Sequence, residues 1–380
     1  VPGTGNAWRP ALSPDGKYLV YVRRDGEERS LRMRQLGTER DVELLAPEPG
    51  LGIEAATVTP DGSFVDVVRG RGNEKTLWRM PFLGGSPKRL IDGVSSPVGW
   101  SADGRRLAFV RADVDGSSAL VVADADGANE RILVARALPA QFLSFGSRGT
   151  PSAQGAGMHP AWSPDGKVIA VIGFATVDKV LTRQVIFVDA ATGAERSIPI
   201  RDGGSADGAE WLDSGHLVLS HIGRNDAVSQ LWLLSYPAGT WSRLTNDLSN
   251  YASFGVSADR QSLAVARWDY QVGISVLEGG SLEPSDLVPA GPFVGEDLAW
   301  AGDTLLYAVL SPANNLPAIW ALRRGESSPE ELIGNAYSPA ATPDGQTIVF
   351  SRVQDDRRGI WRADRDGRGA RRRRPSSPKR

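Results

Sequence analysis

Short apolar runs recur along this chain, each preceded by a polar turn of nearly constant wording. Leu12-Ser-Pro-Asp-Gly16 leads into Lys17-Tyr-Leu-Val-Tyr-Val22, and Val58-Thr-Pro-Asp-Gly62 into Ser63-Phe-Val-Asp-Val-Val68. Trp100-Ser-Ala-Asp-Gly104 precedes Arg105-Arg-Leu-Ala-Phe-Val110, and Trp162-Ser-Pro-Asp-Gly166 precedes Lys167-Val-Ile-Ala-Val-Ile172. Weaker copies start at Trp211, Val256 and Trp300, and the last strong one is Thr342-Pro-Asp-Gly345 before Gln346-Thr-Ile-Val-Phe350. The runs are too short for helices and rich in β-branched and aromatic residues, so they predict strands. The phrase between them predicts a hairpin: proline presets φ, aspartate accepts from the following amides, and glycine reverses the chain. The turn residues are Asp15 and Gly16, Asp61 and Gly62, Asp103 and Gly104, Asp165 and Gly166, and Asp344 and Gly345.

A third strand follows in most copies, often with a central tryptophan, as in Leu77-Trp-Arg-Met80, Leu231-Trp-Leu-Leu234, Ile319-Trp-Ala-Leu322 and Ile360-Trp-Arg-Ala363. A second turn and a short fourth strand (Lys88-Arg-Leu90, Arg131-Ile-Leu133, Arg243-Leu-Thr245) close the unit. The copies are roughly 41–49 residues apart with one interval near 62, the period of four-stranded propeller blades. The expectation is an all-β fold, a β-propeller of about eight four-stranded antiparallel blades with seven as the other count, in one domain over residues 1–367. A basic tail, 368–380, is expected to be solvated and disordered. One blade cannot bury both of its faces, so the blades must pack on one another, and the eleven tryptophans are assigned to that packing.

The Ser-Pro-Asp-Gly-Lys phrase with a later tryptophan strand resembles TolB-like, WD40-like (PD40) propeller repeats over about residues 7–367. Ser30-Leu-Arg-Met-Arg-Gln-Leu36, Met80-Pro-Phe-Leu-Gly-Gly-Ser-Pro-Lys-Arg-Leu90 and Gln230-Leu-Trp-Leu-Leu-Ser-Tyr-Pro-Ala-Gly239 are similar to the C-terminal propeller of bacterial, particularly acidobacterial, serine/threonine kinases. That resemblance implies an extracytoplasmic or periplasmic sensor or interaction module. It also marks irregular units: Asp213-Ser-Gly215 scrambles the fifth turn, Arg260 replaces glycine in the sixth, and the last unit lacks the usual fourth strand.

Chemistry changes this picture little. The chain of 380 residues has a net charge of −2 and no cysteine, which excludes disulfides, thiolate metal sites and a cysteine nucleophile and gives no overall pull toward nucleic acid. The opening Val1-Pro-Gly-Thr-Gly-Asn6 looks like a processed end or a cut fragment. No Gly-x-Ser-x-Gly elbow, phosphate loop or zinc spacing occurs. His159, His216 and His221 are read as structural or surface residues, and the turn aspartates as caps rather than calcium ligands. The segment 135–157 is the most individual, with Phe142, Leu143, Phe145 and Arg148. It reads either as a loop tucked over the rim or as a partner-docking loop at one mouth of the channel. The functional expectation is a non-catalytic, monomeric binding module for a protein, peptide or cell-envelope ligand, without cofactor, metal or nucleic-acid partner. A lyase or hydrolase with histidines or carboxylates along the axis is the competing reading, tested by whether such a cluster exists.

Overall fold

The computed structural model describes residues 4–38, 40–72, 74–145, 159–177, 180–223, 226, 228–247, 249–268, 272–277, 283–291, 293–310, 317–354 and 357–372. Nearly every ordered element is a strand, and the sheets are antiparallel. Seven sheets carry four or more strands, and an eighth repeat appears as two separate pairs, Asn250–Val256 with Leu263–Trp268 and Val272–Val276 with Ser285–Gly291. The count agrees with about eight repeats, and the split falls on the unit whose turn glycine is replaced. The chain divides into two compact units, residues 1–224 with 228–268 and residues 225–227 with 269–380. Each is described by itself.

The phrase folds the same way wherever it is intact. Ser163 Oγ donates to Asp165 Oδ1 at 2.7 Å and accepts from the Val168 amide at 2.9 Å, while Asp165 Oδ1 accepts from the Lys167 amide at 3.1 Å. The same clip joins Ser13 to Asp15, Thr59 to Asp61, Ser101 to Asp103, Ser257 to Asp259 and Thr342 to Asp344, at 2.5–2.6 Å. In each, the hydroxyl and then a backbone N–H hold the carboxyl below its ordinary range. The glycines Gly16, Gly62, Gly104, Gly166 and Gly345 have φ of 66–72°, and Arg260 takes the same left-handed conformation at 58°. The hairpins are thus built as the sequence predicts, with one partner it did not supply: the Ser or Thr two residues before the aspartate.

In the first unit six sheets close on one another. Alternate side chains of each second strand leave on opposite faces, and the two sets go to different neighbours. Val20 and Val22 pack with Val65 and Val67 of the second sheet, whereas Leu19 and Tyr21 pack toward Ala264 of the sixth. Leu107 and Phe109 join the second sheet, and Ala108 and Val110 the fourth. Ala170 and Ile172 pack with Trp211, Leu217 and Leu219 of the fifth, and Val218 and Leu231 with Phe254 of the sixth. The circuit is completed where the sixth sheet's inner strand lies against the first's, with the Arg9 amide donating to Ser253 Oγ at 3.0 Å. This is why the runs are apolar throughout: both faces are buried, each such side chain contributing about 1.5–3 kcal/mol. The sheets of the first unit thus pack in a closed circuit, as the blades of a β-propeller do.

The second unit holds two four-stranded sheets, Phe293–Ala301 to Glu330–Gly334 and Tyr337–Ala341 to Arg371–Arg372. They pack through Leu306, Ile319, Ile348 and Phe350. Arg371–Arg372 pairs with Trp361 and Arg362. The last sheet therefore takes its fourth strand from the start of the basic tail, a correction to the boundary expected at 367; residues 373–380 lie outside the described residues.

Candidate functional site

The six inner strands of the first unit surround a cavity of about 440 Å³, within the usual range for small-ligand sites. Its lining follows the register of the repeat. Three residues before the last apolar position of the phrase (Leu12, Val58, Trp100, Trp162, Trp211, Val256), the strands place Arg9, Ala55, Pro97, His159, Gly208 and Ser253. One residue before it they place Ala11, Thr57, Gly99, Ala161, Glu210 and Gly255. Most of these are small, as strands crowding an axis require. Five are polar: Arg9, Thr57, His159, Glu210 and Ser253.

The two ends of the cavity differ. At one, the turns sit side by side and present Pro14, Pro60 and Pro164. A Cβ on Gly62 would lie 3.5 Å from Pro14, and one on Gly104 3.7 Å from Pro60. At the other, β-bulges interrupt the inner strands between Trp8 and Ala11, between Ile53 and Ala55, and between Tyr251 and Phe254. A bulge re-aims a side chain, and these carry Arg9, Glu54 and Ser253. Arg9 has φ of 53°, a conformation unusual for a residue with a side chain.

Charge gathers at the bulged end. Arg9 lies 4.9 Å above the Trp8 ring and 5.0 Å from that of Phe145; Arg29 lies 5.5 Å from Trp8, and Lys75 5.7 Å from Phe145. Arg29 also meets Glu54 at 2.8 Å. Arg9 keeps some open surface toward the channel, yet protein surrounds it. Burial pushes its guanidinium down to about 10, with the Glu54 charge opposing that fall and the Arg29 charge adding to it. Burial likewise lowers Lys75, again opposed by Glu54 and assisted by Arg29. His159 Nε2 contacts Glu210 Oε1 at 2.7 Å. Burial draws the imidazole down and Arg9 adds to this, but the charge and hydrogen bond of Glu210 outweigh both, so its pKa is raised.

The sequence-predicted residues divide sharply. Phe142, Leu143 and Phe145 are buried at 0%, 3% and 8% exposure, which corrects their assignment as docking side chains. Phe142 pairs with Gly173 in the fourth sheet and packs with Trp162. Leu143 joins the cluster of the fourth and fifth sheets. Phe145 packs with Val98 and Phe109 while its ring faces Arg9 and Lys75. Residues 141–145 therefore pack into the sheets and their clusters, and Arg148 lies outside the described residues. The turn aspartates and glycines sit in the hairpin turns described above. His216 is half-buried beside Asp213, and His221 is buried in the fifth sheet, but His159 belongs to the channel. The tryptophans mostly pack; Trp300 is an exposed exception at 43%. Arg9, Glu54, Glu210 and Ser253 were missed. Reading the repeat column by column would have found Arg9, Glu210 and Ser253, since each breaks a column of small residues. Among the described residues no group of three or more His, Cys, Asp or Glu is arranged for a metal ion, and no helix is long and apolar enough to cross a membrane.

No family model matches the sequence, and no curated protein sequence matches it. Solved structures do. TolB from Acinetobacter baumannii is similar at 14% identity, covering 94% of this chain and 79% of its own, with a TM-score of 0.37. The β-propeller domain of the Trilobed protease from Pyrococcus furiosus is similar at 10% identity over 96% of each chain, with a TM-score of 0.43. An oligogalacturonate lyase in complex with manganese is similar at 14% identity, over 95% of this chain and 97% of its own, with a TM-score of 0.42.

Proposed function

We propose that this chain is a binding module whose ligand enters the channel of the first unit. The observation that carries the reading is the convergence of Arg9, His159 and Ser253 from equivalent positions of three inner strands, where the other three strands hold Ala55, Pro97 and Gly208. Few polar groups converging on an otherwise small-residue and apolar cavity is the common form of a recognition site. Its finer form is an extracytoplasmic module that recognises a protein, peptide or cell-envelope ligand, as the sensor half of a receptor kinase would. A plug variant tests it. Thr57→Trp fills the channel from a wall position that already touches Val98 O at 3.1 Å. Against a panel of amino acids, short peptides, sugars and sugar acids, the native chain is expected to gain thermal stability from at least one class and the plugged chain from none. Equal shifts in both would remove the channel from the account.

The His159–Glu210 contact favours a second reading, general acid–base chemistry on a channel-bound ligand, because a carboxylate that orients an imidazole is a common catalytic device. His159→Gln separates the two: recognition survives in a binding module, whereas a hydrolase or lyase loses turnover on whichever panel member it consumes.

A further inference from the structure

We propose that binding in the channel is proton-linked: the ligand accepts a hydrogen bond from Nδ1 of His159, which offers one only when the ring is protonated. The inference rests on the reading of the channel as a binding site and adds the condition under which that site holds its ligand and lets it go.

The two ring nitrogens of His159 have different surroundings. Nε2 lies 2.7 Å from Glu210 Oε1, so in the neutral ring the carboxylate keeps the proton on Nε2 and leaves Nδ1 a bare acceptor. Nδ1 has no hydrogen-bond partner among the described residues. Nor is it one of the nitrogens sealed inside the protein without a partner, and the side chain is 23% exposed where it lines the cavity. Protonation therefore changes what a ligand meets there, because Nδ1 turns from acceptor to donor. Ser253 asks for the same ligand chemistry from the equivalent position of the sixth inner strand. Its Oγ accepts from the Arg9 amide at 3.0 Å, which leaves the hydroxyl proton to be donated, and no acceptor for it occurs among the described residues. A carbonyl, hydroxyl or carboxylate oxygen would satisfy both groups. The other charged residues lining the cavity are Arg9, Glu210 and Arg260. Arg260 belongs to the sixth turn and donates to Trp211 O. Burial and the Arg9 charge oppose protonation of the ring, and Glu210 outweighs them, so the switch falls above the ordinary value of 6.5. A ligand that prefers the protonated ring raises that value further. Affinity is then full below the pKa of the free chain and falls as pH rises from there to the pKa of the complex.

The full chain is tested by titration calorimetry at about pH 5.5, about pH 7 and about pH 8.5, with probes that do not titrate in that window: an N-acetylated alanine tetrapeptide amide, glucose and glucuronate. Paired buffers of different ionisation enthalpy count the protons taken up at each pH. At least one probe is expected to bind about tenfold or more tighter at the lowest pH than at the highest, with net proton uptake between them. The best binder assigns the acceptor as a peptide carbonyl, a sugar hydroxyl or a carboxylate. His159→Gln, whose amide can still donate to Glu210 but cannot change its charge, is expected to bind with neither pH dependence nor proton uptake. Glu210→Gln is expected to move the transition to lower pH and keep its size, a shift that a merely structural role for the pair would not produce. Affinity independent of pH in the native chain overturns the inference and leaves the channel reading standing. Tighter binding at high pH overturns it too, as does a pH dependence that survives in His159→Gln. Absence of binding by every probe up to about 10 mM, or undiminished binding by Thr57→Trp, sinks the channel reading itself, and the inference with it.

Discussion

The two ends of the first unit's channel are made by the same six strands and obey opposite rules. At the turn end, one arrangement repeats: a Ser or Thr hydroxyl, an aspartate and a left-handed residue, with hydroxyl–carboxylate distances confined to 2.5–2.7 Å across five turns. At the bulged end no two strands carry the same side chain, and Arg9, Glu54, His159, Glu210 and Ser253 occur once each. Repetition there would have served packing equally well. What the comparison teaches is that the repeat specifies the scaffold, and the places where a column of the repeat is broken specify what the scaffold holds.

The comparison can be broken first through the wall that joins the ends. Phe142→Ala removes a fully buried ring from between the third and fourth sheets, and a loss of about 3–5 kcal/mol in urea unfolding is expected. For the same reason, deletion of residues 137–156 should unfold the chain. A small effect would mean that the segment is a loop after all. The turn end comes next. Ser163→Ala removes a donor to Asp165 and an acceptor for the Val168 amide, with an expected cost of about 1–2 kcal/mol; Ser257→Ala should behave alike if the turns are equivalent.

Acid sharpens the contrast. The turn aspartates are depressed in the folded chain, so they bind fewer protons than the unfolded chain does. Their contribution is present above the unfolded carboxylate value of about 3.9 and is lost as pH falls through their lowered values. Replacing several by asparagine should flatten the loss of stability in that window, read by chemical denaturation as a function of pH. His159 has the opposite sign. Its raised value means that its contribution with Glu210 is present below about 6.5 and fades as pH rises through the folded value. His159→Gln should therefore change the slope of stability on the alkaline side and leave the acid limb alone. The smallest effect belongs to Arg9→Gly, about 0–1 kcal/mol in either direction, although Arg9 lines the channel.

Legibility in the sequence followed the same division. The hairpins, the third-strand tryptophans and the both-faces-buried second strands were readable because each recurs, and recurrence makes a weak local signal strong. The clip was half read: aspartate was seen accepting from amides, but the hydroxyl at Ser13, Thr59 or Thr342 requires the hairpin's five-residue closure, which spacing alone does not display. Phe142 and Phe145 were misplaced because a segment rich in Gly, Ser and Pro reads as exposed, whereas two extra residues of edge pairing, Gln141 with Phe174 and Phe142 with Gly173, turn its start into core. Arg9 and Glu54 share a further feature that the sequence does not display. Both lie where a β-bulge interrupts the pairing of the inner strand, and a bulge leaves no mark in a period-two reading of the sequence.

The most direct test is a crystal structure of the chain. The account predicts that the six inner strands of the first unit enclose one cavity lined by Arg9, His159 and Ser253. Six inner strands that do not enclose a common cavity would contradict it.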